Sequence, residues 1–399
     1  MISLTAIEDA AAFLRGRVIR TPLVYSPTFS HLTGAEVFLK LENLQETGSF
    51  KLRGATYKIH QIRDRIGSQG VVAASAGNHA QGVALAATRA GLKATIVMPE
   101  SASLSKQEAT AAYGGEIILT GQNISECLDR AKLLAQQGKV LIHPYDDPEI
   151  IAGQGTIGLE LLEEFPEPDF IFVPIGGGGL ISGIASAIKA VRPAARVVGV
   201  QAAACPSAVQ ALAGGDTCPV EAERSLADGI AVKEIGKLPF AIIRELVSEV
   251  VLVDEEAVTE AIVLLMERKK VLAEGAGAVP LAALLGGAVA IPPGSRVILV
   301  ISGGNADSPL LERVIRQELF RKGRILRFSV CLDDIPGTLA AFLAIIARLK
   351  ANVLHLYHHR SGRGLPVYLS RVEVELETRG PAHVEEILGE LQQAGYEIQ

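Results

Sequence analysis

The sequence has no tryptophan and only four cysteines, and aromatic residues make up 5% of its 399 positions. The cysteines are few and widely spaced, which favours free thiols in a reducing compartment over a disulfide framework. An excess of basic residues is also missing, since the formal net charge is -6. A mildly acidic chain lacks the positive footprint that DNA or RNA would require, so we expect no nucleic-acid partner.

Long apolar runs are absent as well. The N-terminus is amphipathic and contains acidic residues instead of a basic segment followed by an apolar leader, and no uninterrupted apolar run could span a bilayer. Neither His-Glu-x-x-His nor Cys-x-x-Cys spacing occurs, and we expect no metal. These absences predict a cytoplasmic protein without a membrane partner. Its length suits two or three domains, and an apolar content of 49% can fill a large core.

Lys51 stands out because it lies in the segment Glu46-Thr47-Gly48-Ser49-Phe50-Lys51-Leu52-Arg53-Gly54-Ala55, which is poor material for a buried helix or strand. A lysine amine becomes a useful nucleophile when burial or a nearby cation lowers its pKa, and it then reacts most often with a carbonyl cofactor. Taken alone, Lys51 is better explained as a solvated surface charge, as most lysines are.

Three further glycine motifs each follow a short apolar run, as loops at strand ends do. In an open parallel sheet the ligand lies outside the carboxyl ends of the strands, so such loops converge even when they are distant in sequence. The motifs are Ser75-Ala76-Gly77-Asn78-His79, Gly176-Gly177-Gly178-Gly179-Leu180 and Ser302-Gly303-Gly304-Asn305.

The run of four glycines lets backbone amides approach an anion, and the segment after it opens a helix whose positive dipole end favours phosphate. A flexible loop or a close helix-strand contact would explain the same glycines. Neither the Gly-x-Gly-x-x-Gly nor the Gly-x-x-x-x-Gly-Lys-Ser/Thr signature fits this chain. A phosphate without a dinucleotide or a triphosphate makes pyridoxal phosphate a strong candidate.

These four motifs, in this order, resemble those of the fold-type-II pyridoxal-phosphate enzymes, and among them the threonine dehydratases, over about residues 1 to 320. The resemblance implies that Lys51 forms the Schiff base with pyridoxal 5'-phosphate and that Phe50 lies along one face of its ring. It implies that Asn78 hydrogen-bonds the ring oxygen, that Ser302 faces the pyridine nitrogen, and that the phosphate is held by Gly176, Gly177, Gly178, Gly179 and Leu180. The substrate carboxylate is assigned to the loop of Ser75, Ala76, Gly77 and His79.

Ser302 carries a mechanistic prediction. A neutral hydroxyl cannot keep the pyridine nitrogen protonated as a carboxylate would, so the ring is a shallower electron sink and favours β-elimination over transamination. Ala76 stands where serine-inverting relatives place an acid-base serine, and a methyl group cannot deliver a proton. The strand ending at Val200 continues into Gln201 without the acidic residues that hold a divalent ion in racemase-like relatives.

Some polar residues in apolar settings have two readings. Gly229, next to Asp228, and Glu274 match family positions near the cofactor, and the resemblance implies that both bind it. Asp-Gly also forms turns and Glu also begins helices, so structural roles stay open. His143, His355, His358 and His359 are expected to be satisfied or exposed side chains and not ligands.

The predicted fold is α/β with a doubly wound parallel sheet, because short apolar runs alternate with helical segments, and the resemblance implies that there are two such parallel-sheet lobes. These runs are 94–98, 116–119, 140–142, 170–173 and 197–200. The resemblance implies a catalytic domain of residues 1–324, in which a small lobe of about 46–149 is nested in a larger lobe of 1–45 and 150–324.

Residues 325–399 form the second predicted domain, because a basic stretch at 321–324 ends the helix that begins at Ser308. The pattern predicts strand 325–332, helix 337–349, strands 352–359 and 365–375, helix 382–394 and strand 396–398, the ferredoxin-like βαββαβ order. The turn Asp333-Asp334-Ile335-Pro336-Gly337 resembles that of the amino-acid-binding ACT domain. A purely structural or oligomerising module is the alternative.

The expected activity is therefore dehydration and deamination of L-threonine to 2-oxobutanoate and ammonia, with L-serine as a further substrate. An amino-acid effector such as isoleucine or valine would act at the C-terminal domain, and the resemblance implies a homodimer or homotetramer. Alternatives are a serine or 3-hydroxyaspartate dehydratase, a serine racemase that Ala76 disfavours, and a non-catalytic amino-acid sensor that an intact Lys51 disfavours.

Overall fold

A computed structural model describes residues 1–362 and 364–399. The chain divides into two compact units, Met1–Asp307 and Ser308–Gln399. The helix that begins at Ser308 belongs to the second unit, where Arg316 pairs with Glu375 at 2.6 Å, whereas the predicted boundary at residue 324 would place it in the first domain. That boundary stays a prediction.

The first unit contains two sheets. Its strands are β1 (Leu23–Tyr25), β2 (Glu36–Leu41), β3 (Val71–Ala74), β4 (Ala94–Met98), β5 (Gly115–Leu119), β6 (Val140–Leu141), β7 (Phe170–Pro174), β8 (Arg196–Ala202), β9 (Glu249–Val253) and β10 (Arg296–Ile301). The larger sheet has the order β1-β2-β10-β7-β8-β9 and is parallel except for β1. The smaller sheet, β5-β4-β3-β6, is parallel throughout.

Helices connect these strands. They are α1 (Leu4–Leu14), α2 (Pro27–Thr33), α3 (Lys51–Ile62), α4 (Asn78–Arg89), α5 (Leu104–Ala112), α6 (Ile124–Gln136), α7 (Pro148–Glu164), α8 (Gly179–Val191), α9 (Ser207–Gly214), α10 (Lys237–Leu246), α11 (Glu255–Leu264) and α12 (Gly275–Leu285). Short helical turns lie at Glu42–Leu44, Arg63–Arg65 and Asp228–Ile230, and a π-helical turn at Leu265–Lys269. Several helix starts are capped by side chains of the residue types that favour this position, including Asn123 before α6 and Asp147 before α7.

The expected α/β fold with parallel sheets is confirmed. Strands β3, β4 and β7 are buried along their whole length, as strands covered by helices on both faces are, and this explains their near-continuous apolar sequences. The smaller sheet is built from residues 71–141, between β2 and β7 of the larger sheet. Three of the four glycine motifs follow the carboxyl ends of β3, β7 and β10, where a ligand site is expected.

The second unit consists of α13 (Ser308–Arg321), β11 (Ile325–Asp333), α14 (Thr338–Arg348), β12 (Asn352–His359), β13 (Leu369–Glu377) and α15 (Pro381–Gln393). Its antiparallel sheet has the order β11-β13-β12. The strand predicted at 365–375 begins later, because the Leu369 amide closes a turn onto the Pro366 carbonyl. The strand predicted at 396–398 is reduced to an isolated bridge between Ile398 and Val330.

Among the residues that the structure describes, no helix combines the length and the apolar character needed to cross a bilayer. Within the same residues, no group of three or more His, Cys, Asp and Glu side chains is arranged to hold a metal ion.

Candidate active site

The segment before α3 is attached to the end of β10. Ser49 forms a bridge with Gly303, and the Phe50 amide donates to the Ser302 carbonyl at 3.2 Å. Lys51 then begins α3. Two motifs far apart in the sequence are thus joined through backbone contacts, as their position at strand ends predicts.

The Lys51 amine lies in a partly buried position without a bonded carboxylate. Its Nζ donates to the Pro144 carbonyl at 3.0 Å and lies 5.2 Å from the centre of the Phe50 ring. Burial lowers the pKa of Lys51 from 10.5 to about 8, although the charge of Glu274 opposes the shift. The positive end of the helix dipole also disfavours a cation at this position. At pH 7 roughly a tenth of the amine is therefore uncharged and nucleophilic, far more than at the ordinary pKa of 10.5.

Two side-chain amides and one carboxyl group form a hydrogen-bonded series near Lys51. Asn78, the first residue of α4, donates through Nδ2 to Glu274 Oε1 at 2.6 Å, and its Oδ1 accepts from Asn305 Nδ2 at 2.7 Å. A Cβ on Gly303 would come within 2.3 Å of Glu274 Oε1, and one on Gly229 would lie 3.5 Å from it. The structure therefore brings Asn78, Gly229 and Glu274 together.

Glu274 is buried, with 6% exposure, at the start of α12. Burial, assisted by the negative charge of Asp228, raises the pKa of Glu274 from 4.5 to about 7. The hydrogen bond from Asn78 opposes this shift. Near neutral pH the carboxyl can hold or release a proton.

The glycine run connects β7 to α8, and close neighbours leave its glycines little space for side chains. A Cβ on Gly177 would lie 2.3 Å from the Tyr145 ring, and one on Gly179 would lie 3.0 Å from Tyr145 Cα. Gly178 has φ +92, the left-handed conformation that glycine adopts without strain, and no side chain caps α8. Leu180 is buried with 5% exposure.

The loop of residues 75–79 forms the remaining predicted part of the site. Ser75 Oγ accepts a hydrogen bond from the Gly77 amide at 3.1 Å, so the Ser75 side chain is bonded within its own loop. Ala76 is partly buried. His79 Nε2 bonds the Ile142 carbonyl at 2.9 Å. Burial and the nearby Lys51 charge lower the pKa of His79 to about 3, so the ring stays neutral.

These residues fit a cofactor that carries both a carbonyl and a phosphate. Lys51 supplies a nucleophilic amine, and residues 176–179 supply backbone that carries no side chains of its own. The segment that precedes the lysine contains two buried polar atoms without a partner among the described residues, Thr47 Oγ1 and Ser49 Oγ. Ser302 has 2% exposure, and its Oγ lies at the long distance of 3.4 Å from the Ala276 carbonyl.

Comparison with known proteins identifies the protein family to which this chain belongs. The profile of the pyridoxal-phosphate-dependent enzyme family matches residues 14–303, and this chain belongs to that family. The expected cofactor class is thereby confirmed.

Individual relatives and solved structures show which enzymes of this family the chain is similar to. The L-threonine ammonia-lyase of Thermotoga maritima is 47% identical over 100% of this chain and 99% of its own length. A solved threonine deaminase from T.th. is 41% identical with TM-score 0.72, over 76% of this chain and 99% of that one. Maize serine racemase is 37% identical with TM-score 0.75, over 80% and 98%.

Several contacts were not foreseen from the sequence. Pro144 and Tyr145, which touch the lysine and the glycine run, carry no local signal beyond the proximity of His143. His143 itself accepts from the Asp146 amide at 2.9 Å. Lys106 pairs with Asp228 at 2.9 Å and Asp307 at 3.7 Å. Asn305 lay within one of the glycine motifs and Asp228 lay beside Gly229, so these two positions carried a signal in the sequence.

Proposed function

We propose that this chain is an L-threonine ammonia-lyase that converts L-threonine to 2-oxobutanoate and ammonia and also accepts L-serine. The observation that carries the proposal is the Lys51 amine, whose pKa of about 8 and position between the Pro144 carbonyl and the Phe50 ring suit it to both attack and proton transfer. The extensive likeness to threonine ammonia-lyases supports the choice of substrate.

When bound, pyridoxal phosphate supplies a carbonyl carbon for the substrate amine and an electron-withdrawing ring that acidifies the α-carbon hydrogen. Phe50, Asn78, Gly229, Glu274 and Ser302 would hold and orient it. Its phosphate would lie at the glycine run 176–180, where the uncapped start of α8 offers free amides. Ser302 brings a hydroxyl and no negative charge, which favours elimination.

Lys51 acts as the general base. In its uncharged form the amine accepts the α-hydrogen of the substrate, and a pKa near the working pH favours this transfer. The β-carbon–oxygen bond then breaks, and the hydroxyl leaves with its electron pair and takes up one proton to form water, which balances the proton that Lys51 removed from the α-carbon. Water later returns to the unsaturated amine to give the 2-oxo acid and ammonia, so the net change is the loss of ammonia.

Two features of the 75–79 loop support elimination over inversion. Ala76 offers no proton to the opposite face of the α-carbon, and the neutral His79 ring is engaged by the Ile142 carbonyl. Ser75, Ala76, Gly77 and His79 would instead border the substrate carboxylate. Threonine and serine differ by one methyl group, worth only about 1 to 3 kcal/mol in a pocket, which is why both are proposed as substrates.

The test is product analysis with purified protein loaded with pyridoxal phosphate. We expect a visible absorbance band from the bound cofactor, 2-oxobutanoate from L-threonine, pyruvate from L-serine and no D-serine. A bound cofactor without 2-oxo acid would refute the lyase proposal, and D-serine formation would favour a racemase.

We further infer that residues beyond 324 form an ACT-type module that binds an amino-acid effector such as isoleucine or valine. The β11-α14-β12-β13-α15 order supports this, as does the turn before α14, where Gly337 has φ +99 and no side chain caps the helix. Thr338 Oγ1 closes this turn onto the Asp333 carbonyl at 2.8 Å. If a chain ending at residue 324 binds cofactor normally and still responds to the effector, this inference fails.

We also propose a cytoplasmic homodimer or homotetramer. Light scattering of the purified protein tests the assembly. A monomeric mass at micromolar concentration would contradict it.

A further inference from the structure

The segment His143–Asp147 connects β6 to α7 and lies between the reactive lysine and the glycine run. Pro144 provides the carbonyl that accepts from Lys51 Nζ at 3.0 Å. The next residue, Tyr145, packs its ring against Gly177 so closely that an added Cβ would lie 2.3 to 2.4 Å from three ring carbons. One short segment therefore contacts both features that would hold the cofactor.

This segment is anchored on both sides of the tyrosine. The Asp146 amide donates to His143 Nδ1 at 2.9 Å, and the Asp146 carboxylate accepts from the Lys237 and Leu238 amides at the start of α10. Asp147 caps α7 and pairs with Lys58 at 2.6 Å. The backbone at Tyr145 thus has little freedom, and the ring is held in a defined direction.

The hydroxyl end of the Tyr145 ring also has a fixed position. Tyr145 Oη donates to the Glu234 carbonyl at 3.3 Å, and the Gly236 amide of the same loop donates to the Gly177 carbonyl at 3.1 Å. Burial raises the pKa of Tyr145 to about 12, so the hydroxyl remains a neutral donor. The ring therefore lies between the glycine run and the loop at Glu234, bonded to one and packed on the other.

We propose that Tyr145 is a cofactor-retaining residue, whose ring covers the phosphate-binding glycine run and slows release of the phosphate group. An apolar ring over this backbone excludes water, and hydrogen bonds between amides and an anion strengthen when water is excluded. The inference rests on the proposed function, because it places the phosphate of pyridoxal phosphate at residues 176–180. Phenylalanine would preserve the cover and lose only the bond to Glu234.

Equilibrium dialysis of protein loaded with pyridoxal phosphate tests this. We expect the dissociation constant of Tyr145→Ala to rise about tenfold and its release rate to rise similarly, whereas Tyr145→Phe stays within about threefold. Tyr368→Ala is the matched control, since this tyrosine is 72% exposed. Circular dichroism of the cofactor-free variants checks folding. Should Tyr145→Ala not fold, Tyr145→Leu, which lacks the ring, is expected to release the cofactor faster.

Inorganic phosphate is the second probe, measured by calorimetry on cofactor-free protein. Weaker phosphate binding by Tyr145→Ala supports cover of the glycine run, and unchanged phosphate binding would overturn it. Equal or tighter cofactor binding by Tyr145→Ala would also overturn it, because the ring would then be neutral or an obstruction. A wild-type protein that retains no pyridoxal phosphate would overturn the proposed function as well, so the two failures are distinguishable.

Discussion

Two cations on the first turn of α3 lie two positions apart and have opposite electrostatic surroundings. Arg53 is fully buried and meets two carboxylates, Glu42 at 2.8 Å and Glu160 at 2.6 Å. Lys51 meets a carbonyl oxygen and an aromatic ring. Burial alone would lower the pKa of both, but the two carboxylates raise that of Arg53 above its ordinary value, while that of Lys51 falls to about 8.

The difference shows how one helix can hold both a structural and a reactive cation. Lys40 joins the Arg53 cluster, defined as Lys40, Glu42, Arg53 and Glu160, through a 2.6 Å contact with Glu160. Two positive and two negative side chains balance there, which fixes α3 against β2 and α7. Such buried networks contribute more to a defined geometry than to net stability. Lys51 begins the same helix, so the cluster also fixes the backbone from which its side chain extends.

The largest effect is expected from removing the reactive cation. Lys51→Ala should lower 2-oxobutanoate production by about 10⁴-fold, since both attack and proton transfer are lost. Steady-state kinetics with L-threonine measures it. Residual activity within tenfold of wild type would remove Lys51 from the mechanism.

Disrupting the Arg53 cluster should lower the stability of the fold and not the rate of the reaction directly. Arg53→Met leaves Glu42 and Glu160 without their main partner and should cost about 3 to 5 kcal/mol of unfolding free energy. Urea denaturation is the measurement. As a control, Lys132→Met breaks the exposed pair with Asp129 and should cost less than about 1 kcal/mol. Equal losses for the two variants would contradict the comparison.

The Lys51 pKa also predicts a dependence of stability on pH in the cofactor-free protein. Between pH 8 and 10.5 the unfolded chain keeps a proton that the folded lysine has lost, so unfolding free energy rises with pH. Relative to Lys51→Met, wild type should gain on the order of 1 to 3 kcal/mol across this range. Urea denaturation at pH 7.5 and 10 compares them, and parallel curves would refute the lowered pKa.

An effect of comparable size is expected at Glu274, whose folded pKa is raised by about as much as that of Lys51 is lowered. Its neutral form contributes stability that is fully present below pH 4.5 and lost as pH rises to about 7. Glu274→Gln removes this loss, so the variant should improve relative to wild type by on the order of 1 to 3 kcal/mol between pH 5 and 8. Thermal unfolding of the cofactor-free proteins tests this. If the difference in stability between Glu274→Gln and wild type did not change from pH 5 to pH 8, Glu274 would be ionised across that whole range.

The fold was more predictable than the site contacts. Strands such as β4 and β7 were evident because helix-covered parallel strands are short apolar runs ending in turns. The start of β13 was misplaced because apolar pattern does not reveal a turn closed by a backbone bond to Pro366. Pro144 and Tyr145 were not predicted as site residues, because a backbone carbonyl and an aromatic ring gain a role in a site only through the residues that pack against them.

By itself, the sequence determined the parallel α/β class, the order of the four glycine motifs and the family to which they point. These are properties of local periodicity and of residue types that only certain backbones tolerate. Tertiary structure alone decided that Lys51 lacks a carboxylate while Arg53 has two, and that Tyr145 covers Gly177. Pairing, burial and the resulting pKa values depend on distances between segments far apart in the chain, and those distances exist only after folding.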